Sequence, residues 1–290
     1  MTTRQTPNSQ RYKMGAGLSL WIFMLYICMC ALSSPVQAEV TLCGEPVYPN
    51  DHGIYRLNGV VECSDLNILV INENGAQLDL RGFKLIGNDN TAQVGILIPR
   101  GTENVSIVGG LVTRCGTALY VDRANNCEIQ FFKAIKNTDK AIRIRGDNNW
   151  IVKSLCQDAG NDCFELRGND NIAEECTAIN SGTPTEAAQG FDFRGSGSAN
   201  KCSAIGSSAD GFQIQAGVSD VTIERCVAVN NAGNGIWIEA TGTDNIIKAN
   251  IAFSNGDGVA KFDLSDGNLN CESNTWKENK FKTSNIPCID

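Results

Sequence analysis

The stretch Asp210-Gly-Phe-Gln-Ile214 shows the pattern that decides the fold, which is a small residue followed by a large apolar residue in a short alternating strand. The pair recurs at intervals of 21 to 27 residues. Its copies are Ala118-Leu119, Ala141-Ile142, Cys163-Phe164, Gly190-Phe191, Gly211-Phe212, Gly235-Ile236 and Gly258-Val259. A unit of this length cannot bury its own apolar face, so we expect the units to stack and their large residues to form one buried ladder.

A second pattern keeps step with the first at intervals of 24 to 26 residues. Its copies are Cys176-Thr-Ala-Ile-Asn180, Cys202-Ser-Ala-Ile-Gly206, Cys226-Val-Ala-Val-Asn230, Asn250-Ile-Ala-Phe-Ser254 and Asn274-Thr-Trp-Lys-Glu278. Turn residues separate the copies, and helical periodicity is absent from them. The sequence therefore predicts an all-β solenoid whose coils lie about 4.8 Å apart with like residues in register. The column of Cys176, Cys202 and Cys226 is predicted to be a buried thiol ladder.

Composition and charge exclude several classes of protein. Gly accounts for 29 of 290 residues and charged residues for only 19%, which is typical of a chain with many turns. Beyond residue 38 the chain has 21 basic and 32 acidic side chains, a net charge of −11, which disfavours nucleic-acid binding. The single histidine, His52, excludes His-based zinc sites and His-dependent triads from most of the chain.

Residues 1–38 have the features of a secretory signal peptide. Basic residues precede an apolar run of about 15 residues from Leu18 to Leu32, and Val36-Gln-Ala38 supplies a cleavage site. The run is short for a spanning helix, although an uncleaved anchor is the alternative, and no later segment is predicted to span a bilayer. We therefore expect a secreted or periplasmic protein, in which disulfides are possible among the 11 remaining cysteines.

Three segments carry a resemblance to a known family. They are Leu78-Asp-Leu-Arg-Gly-Phe-Lys-Leu-Ile-Gly87, Asn104-Val-Ser-Ile-Val-Gly-Gly110 and the coil at Asp210. Over residues 75 to 280 the chain resembles the right-handed parallel β-helix proteins of the pectin-lyase-like superfamily. This architecture carries lyases, hydrolases, epimerases and noncatalytic proteins, so the resemblance predicts the fold more sharply than the activity.

The resemblance implies a single right-handed parallel β-helix with disulfide-stabilised terminal caps. We expect a signal peptide at 1–38, an N-terminal cap and first coil at 39–74, β-helix coils at 75–266, and the last coil and C-terminal cap at 267–290. Caps are needed because the end strands would otherwise be unpaired. Cys43 and Cys63 bracket one cap, and Cys271 and Cys288 bracket the other, so we expect one disulfide in each.

The side chains that follow each large apolar residue are predicted to face outward, because side chains alternate along a strand. They form one column of Tyr120, Arg143, Glu165, Asp192, Gln213 and Trp237, and a second of Asp122, Arg145, Arg167, Arg194, Gln215 and Glu239. Stacked arginines repel and need an anion. Two interpretations stay open. Glu165 and Asp192 supply that anion in a surface salt-bridge ladder, or the face is a groove for a uronic-acid polymer, whose carboxylates fit arginine forks.

The resemblance to β-helix lyases implies roles for this face, although no full lyase motif is present. Such lyases use Arg or Lys as the base with Ca²⁺ held by acidic residues. Carried over, this implies Arg143 or Arg167 as the base, and Glu165 and Asp192 as Ca²⁺ ligands. It also implies Arg194 as the substrate clamp. Arg145 and the flat rings of Tyr120 and Trp237 complete the predicted substrate-binding residues. We expect an acidic polysaccharide as the partner and β-elimination as the reaction. C5 epimerisation is less favoured, because the Asp-Pro-His-Asp motif of bacterial alginate epimerases is absent.

Two alternatives remain. Asn137-Thr-Asp139 and Gly160-Asn-Asp-Cys163 resemble segments of polygalacturonases, where paired carboxylates supply acid and base, but the set is degenerate here. Asp162, Asp210 and Asp257 equally fit a ladder of turn caps. A noncatalytic glycan-binding or structural β-helix is the other alternative.

The insertion at residues 181–189 is predicted to project as a loop near the arginine face.

We expect the exported form to begin at Glu39, because the apolar run is too short to anchor the chain and a small-residue site follows it. N-terminal sequencing of exported material checks this. Recovery of the protein with residues 1–38 still attached would contradict it.

Overall fold

The computed structural model describes residues 40–183 and 185–289, so the predicted signal peptide lies outside the described residues. The chain there forms short strands and one 3₁₀ turn at Leu269–Cys271, without an α-helix. The strands are β1 (Val40–Leu42), β2 (Glu45–Pro46), β3 (Ile54–Arg56), β4 (Gly59–Glu62), β5 (Asn67–Ile71), β6 (Gln77–Asp79), β7 (Phe83–Ile86), β8 (Val94–Ile98), β9 (Ser106–Val108), β10 (Leu111–Thr113), β11 (Thr117–Asp122), β12 (Glu128–Gln130), β13 (Lys133–Ile135), β14 (Ile142–Arg145), β15 (Trp150–Val152), β16 (Leu155–Gln157), β17 (Phe164–Arg167), β18 (Asn171–Glu174), β19 (Thr177–Ile179), β20 (Phe191–Phe193), β21 (Gly197–Asn200), β22 (Ser203–Ile205), β23 (Phe212–Ile214), β24 (Val221–Glu224), β25 (Val227–Val229), β26 (Ile236–Ile238), β27 (Ile246–Lys248), β28 (Ile251–Phe253), β29 (Leu264–Asp266) and β30 (Thr275–Lys277).

The strands form three sheets that run the length of the solenoid. Sheet A has the order β2-β1-β5-β8-β11-β14-β17-β20-β23-β26-β29, sheet B has β3-β6-β9-β12-β15-β18-β21-β24-β27-β30, and sheet C has β28-β25-β22-β19-β16-β13-β10-β7-β4. Neighbours in a sheet are three strands apart along most of the chain, so each coil contributes one strand to each sheet. Pairing is parallel except where β1 meets β2 and β5. The predicted all-β parallel solenoid is confirmed, and none of the described helical segments is long and apolar enough to cross a bilayer.

The corner between sheets B and C shows how the sequence makes a tight bend. One residue there adopts a left-handed conformation, with φ of 53° at both Glu175 and Lys201, and the next residue points inward. These inward residues form a ladder. The backbone N–H of Cys176 donates to the sulfur of Cys202 at 3.4 Å, and that of Cys202 donates to the sulfur of Cys226 at 3.3 Å. Sulfur and amide acceptors thus satisfy N–H groups that would otherwise be buried without partners.

All three thiols of the column are free and buried, as predicted. Cys115 and Cys127 are also free and buried, and burial raises the pKa of the Cys115 thiol to about 12 and that of the Cys127 thiol to about 11. Protonated, solvent-shielded thiols of this kind are inert packing groups.

The apolar ladder is confirmed for six of its seven predicted members. Leu119, Ile142, Phe164, Phe191, Phe212 and Ile236 are fully buried. The rings of Phe164 and Phe191 stack with centroids 4.5 Å apart, and those of Phe191 and Phe212 stack at 4.7 Å.

The assignment of Val259 to the ladder was wrong. Its side chain is 83% exposed, and Leu264 pairs with Ile236 in its place. Asp257 accepts hydrogen bonds from the backbone N–H groups of Val259, Ala260 and Lys261, which makes a local turn. The chain therefore returns to the core five residues later than the repeat predicts.

Two of the three disulfides among the described residues are the predicted cap bonds, Cys43–Cys63 and Cys271–Cys288. The third, Cys156–Cys163, ties β16 of sheet C to the residue before β17 of sheet A. The sequence did not predict it, because Cys163 occupies the small-residue position of the main repeat. It spans only seven positions and encloses Asn161 and Asp162.

Replacing Phe191 by Ala should lower the free energy of unfolding by about 3 to 5 kcal/mol, because removing the middle ring of the stack leaves a cavity that the coils above and below cannot close. Val259→Ala is the matched control and should change it by no more than about 0.5 kcal/mol. Urea unfolding of both variants measures the difference. If Phe191→Ala lowers the free energy of unfolding as little as Val259→Ala, the ring stack is not part of the core.

Candidate functional site

The candidate site lies on the outer face of sheet A, across β14, β17 and β20. Strand register places Arg143 beside Glu165 and Glu165 beside Asp192, and it places Arg145 beside Arg167. The two columns read from the sequence are therefore correctly aligned, since a shift of one residue would have turned these side chains into the core.

The burial of the acidic residues differs from the sequence prediction. Asp162, Glu165 and Asp192, here called the acidic trio, are 2%, 1% and 0% exposed. Longer basic side chains lie over or beside them: four approach the carboxylate oxygens, and Arg167 is the strand neighbour of Arg145. We call these the basic layer, and they are Lys140, Arg143, Arg145, Arg167 and Arg194. The basic layer is only partly buried, so solvent meets guanidinium and ammonium groups, and the carboxylates lie beneath.

Glu165 is the centre of the network. Its carboxylate receives Lys140 Nζ at 2.9 Å and Arg143 Nε at 2.9 Å. The Nε atoms of Arg145 and Arg194 lie further away, each 3.9 Å from a Glu165 oxygen. Four basic residues thus surround one buried carboxylate, an arrangement that offsets much of the desolvation cost of burying it.

The other two carboxylates are also held on several sides. Asp162 pairs with Lys140 and accepts a hydrogen bond of 3.0 Å from the backbone N–H of Gln189. Asp192 pairs with Arg194 and accepts a hydrogen bond of 2.9 Å from Gln215 Nε2. Gln189 ends the 181–189 insertion, so this insertion does touch the site.

Lys140 is the residue that the sequence-based site left out. It precedes the small residue Ala141, and it reaches across the coil boundary to Asp162 and Glu165. The sequence does indicate its place: Lys140 and Asp162 both come directly before the small residue of their coil, so they are in register. Asp139, in the polygalacturonase-like segment, lies one residue earlier.

The charge states of the trio diverge. Burial on its own would raise the pKa of Glu165, but Lys140 and Arg143 outweigh it and hold the pKa below the ordinary value of 4.5. For Asp192, burial and the nearby Asp162 charge prevail over Gln215 and Arg194, and its pKa lies above the ordinary value of 3.8. Burial opposes the charge on Lys140, yet Asp162 and Glu165 raise its pKa. Carboxyls with divergent pKa values are a common feature of functional sites.

Carboxylate oxygens of the acidic trio lie within 4.8 Å of one another, which suggests a cation site. Ca²⁺ prefers six to eight oxygen ligands. Lys140, Arg143 and Arg194 already bind these oxygens, and the Lys140 ammonium supplies the positive charge. As arranged, Glu165 and Asp192 therefore do not fit a Ca²⁺ site, and calcium dependence stays a prediction for assay.

The two aromatic residues are placed differently from each other. Tyr120 belongs to the network: its hydroxyl donates to Asp122 at 2.8 Å and accepts from Arg145 at 3.0 Å. The guanidinium carbons of Arg143 and Arg145 lie 5.3 and 5.6 Å from its ring centroid. Trp237 is separated from Asp192 by the coil of Gln213, and it packs against Lys261.

The proposed turn-cap role of the aspartates holds for two of the three. Asp162 caps Gln189 as described, and Asp210 Oδ1 accepts from Asn234 Nδ2 at 2.8 Å. Asp257 caps an exposed turn outside the ladder. Asp263 takes its place, because its carboxylate accepts from Asn255 of the preceding turn.

Comparison with known proteins gives the family. Residues 94–276, more than half of the chain, match the family described as a right handed beta helix region. The chain belongs to this right-handed β-helix family. None of the curated proteins is a significant match. The resemblance to pectin-lyase-like β-helices, as a matter of fold, is confirmed.

Two solved structures illustrate the likeness of fold. A point mutant of the periplasmic alginate epimerase AlgG superposes with a TM-score of 0.52 at 12% identity, covering 79% of this chain and 72% of that one. The catalytic unit of a thermostable GH87 alpha-1,3-glucanase from Streptomyces thermodiastaticus strain HF3-3 gives 0.51 at 12% identity, covering 81% and 63%. This chain thus spans less than two thirds of the glucanase unit. At such identity the likeness concerns the fold alone.

The divergent carboxyls predict opposite effects of pH on stability. Because the folded-state pKa of Glu165 is lowered, its contribution is present above about pH 4.5 and is lost as pH falls. Because the pKa of Asp192 is raised, the folded state favours its protonated form, and that contribution is lost as pH rises from about 3.8. The stability difference between wild type and Glu165→Gln should therefore grow with pH, whereas the difference between wild type and Asp192→Asn should shrink.

Urea unfolding at a series of pH values measures both differences. Glu278→Gln, which removes one exposed negative charge away from sheet A, is the control for net charge. Parallel profiles for the two site variants would contradict the assigned charge states.

Proposed function

We propose that the outer face of sheet A binds an acidic, uronate-containing polysaccharide. The observation that carries the proposal is the surplus of cations, since the basic layer has five members and the acidic trio has three. The surplus is exposed on a chain whose overall formal charge is −8. Arginine forks match carboxylates in bidentate geometry, which suits a polymer that presents one carboxylate on each sugar.

The surplus is concentrated in two residues. Arg167 has no ion pair with any residue that the structure describes. The buried Nε of Arg145 has no hydrogen-bond acceptor there, since the 3.9 Å separation from Glu165 is too long. Arg167 therefore offers its donors at the surface, and Arg145 keeps a buried Nε without an acceptor while its Nη1 donates to Tyr120. Arg143 and Arg194 are bound to the trio.

The reaction that suits this face best is β-elimination. A base in its neutral form takes the proton from C5 of a uronate, and the electron pair forms a double bond between C4 and C5. The bond from C4 to the leaving oxygen breaks, and that oxygen takes up a proton from solvent. A cation must neutralise the substrate carboxylate as charge develops. Of the two bases implied by the resemblance, Arg167 is favoured over Arg143, because Glu165 holds Arg143 at 2.9 Å. Arg145 and Arg194 then face the substrate carboxylate.

The second candidate is noncatalytic binding of the same polymer. It is favoured by the complete burial of the carboxylates and by the two guanidiniums that cover the Tyr120 ring, which leave less of that ring for a sugar. A polygalacturonase-like hydrolase is supported less, because Asp162 is buried and paired with Lys140. Three disulfides are in keeping with the proposed export.

A screen of residues 39–290 against polygalacturonate and alginate, with and without Ca²⁺, tests the function. Ultraviolet absorbance of unsaturated uronates marks a lyase, reducing ends alone mark a hydrolase, and binding without product marks a noncatalytic protein. The absence of binding to either uronate would refute the proposal.

Arg167→Gln should weaken uronate binding about tenfold or more, because one charge-assisted interaction is worth roughly 1.5 to 3 kcal/mol. Stability should change by less than about 1 kcal/mol, since Arg167 has no carboxylate partner to lose. Calorimetric titration and thermal unfolding measure the two effects. Arg225→Gln, an exposed arginine paired with Glu224 away from sheet A, is the matched control. If the Arg167→Gln variant binds uronate with wild-type affinity but is less stable, Arg167 has a structural role instead.

A further inference from the structure

A cleft opens where the chain leaves sheet A for sheet B, beside the face just described. Its volume is about 540 Å³, and its walls carry Arg100, Arg123, Arg145 and Arg167 with one acidic residue, Asp147. We call it the arginine cleft. A volume of this order accommodates a sugar-sized ligand, which is larger than a single ion.

The floor of the cleft is bare for a structural reason. Gly146 and Gly168, which line the cleft, and Gly195 in the next coil occupy one coil position, two residues past the buried Ile144, Leu166 and Phe193. A Cβ at these glycines would lie 2.1, 2.2 and 1.8 Å from a backbone oxygen of the preceding coil. The close stacking of this corner therefore excludes side chains, and it leaves an open trough.

Arg100 and Arg123 stand at the same coil position, two residues past Ile98 and Val121, in the coils before the glycines begin. They form the end of the trough, and Arg145 and Arg167 form its side along sheet A. Neither Arg100 nor Arg167 has an ion pair with a described residue. Arg123 reaches Asp122 at 3.4 Å, and Arg145 Nε lies 3.9 Å from the nearest Glu165 oxygen.

Four guanidiniums around one trough repel one another unless an anion lies between them. Asp147 offsets only one of these four charges, and its Oδ1 also accepts from the backbone N–H of Asn169 at 2.8 Å. A planar carboxylate has two oxygens, which one guanidinium fork satisfies. A tetrahedral oxyanion ester has three terminal oxygens pointing in different directions, and it can accept from forks on two walls at once.

We propose that the arginine cleft binds a tetrahedral oxyanion ester, a sulfate or phosphate group carried by the glycan. The proposal rests on the proposed function, because it places the esterified sugar next to the uronates on sheet A. It narrows the substrate class to a polymer that carries both carboxylates and oxyanion esters.

The test uses the double variant Arg100→Gln with Arg123→Gln, which leaves the basic layer intact. Both side chains are exposed, so the variant should fold, and thermal unfolding checks this. The probes are dextran sulfate and oligogalacturonate, each titrated by calorimetry at fixed ionic strength. Binding of dextran sulfate should fall by about tenfold or more, as expected for the loss of charge-assisted hydrogen bonds, while oligogalacturonate binding stays within about twofold.

The matched control is Arg114→Gln with Arg225→Gln, which removes the same charge from exposed positions outside sheet A and should keep dextran sulfate binding unchanged. An equal loss in both double variants, or none in the cleft variant, would overturn the proposal. Competition by inorganic sulfate and by inorganic phosphate, with chloride at matched ionic strength, distinguishes the two esters. Chloride competing as well as both would also overturn it.

The two proposals fail in different ways. If oligogalacturonate does not bind wild type but dextran sulfate binding depends on Arg100 and Arg123, the uronate proposal fails and the cleft retains its ligand. If oligogalacturonate binds and dextran sulfate does not, the cleft proposal fails alone.

Discussion

Stacking of coils at the spacing of β-strands is the constraint on which the whole structure depends. It places each residue directly over its counterpart in the next coil, so every choice of residue is repeated as a column. Columns of Phe or Ile gain from this contact, as the stack of Phe164, Phe191 and Phe212 shows. In columns of Cys and Asn, each side chain accepts a hydrogen bond from the backbone N–H of its counterpart in the neighbouring coil. A column of like charges gains nothing and must be broken or neutralised.

The candidate site is one solution to that charge problem. In the column of Arg143, Glu165 and Asp192, a cation is followed by two buried anions, and Lys140 and Arg194 come in from the sides. The basic residues neutralise the trio and also present their remaining donors to solvent. One set of side chains therefore stabilises the stack and makes the face attractive to anions, so stability and binding cannot be varied independently at Glu165 or Arg194.

The sequence predicts features that repeat and misses those that depend on a single contact. Period and alternation were enough for the parallel solenoid, the thiol column and the register of Arg143 with Glu165. The two cap disulfides were expected because cysteines bracket the caps that the resemblance implies. Alternation gives the direction of a side chain but not what covers it, so the burial of Glu165 and Asp192 was missed. Val259 matched the repeat by chance. The Cys156–Cys163 bond joins two different sheets, and no periodicity in the chain reveals that contact.

The thiol ladder has a consequence for biogenesis. The described chain has five free cysteines beside six that are paired, and in an oxidising compartment any exposed thiolate attacks a nearby disulfide. The ladder thiols escape this only after their coils have closed around them. If the chain folds in such a compartment, burial of the ladder thiols has to precede their oxidation, whereas Cys156–Cys163 and the two cap bonds need oxidation to form. Burial of the five free thiols and formation of the three disulfides are thus coupled steps in the folding of the described chain.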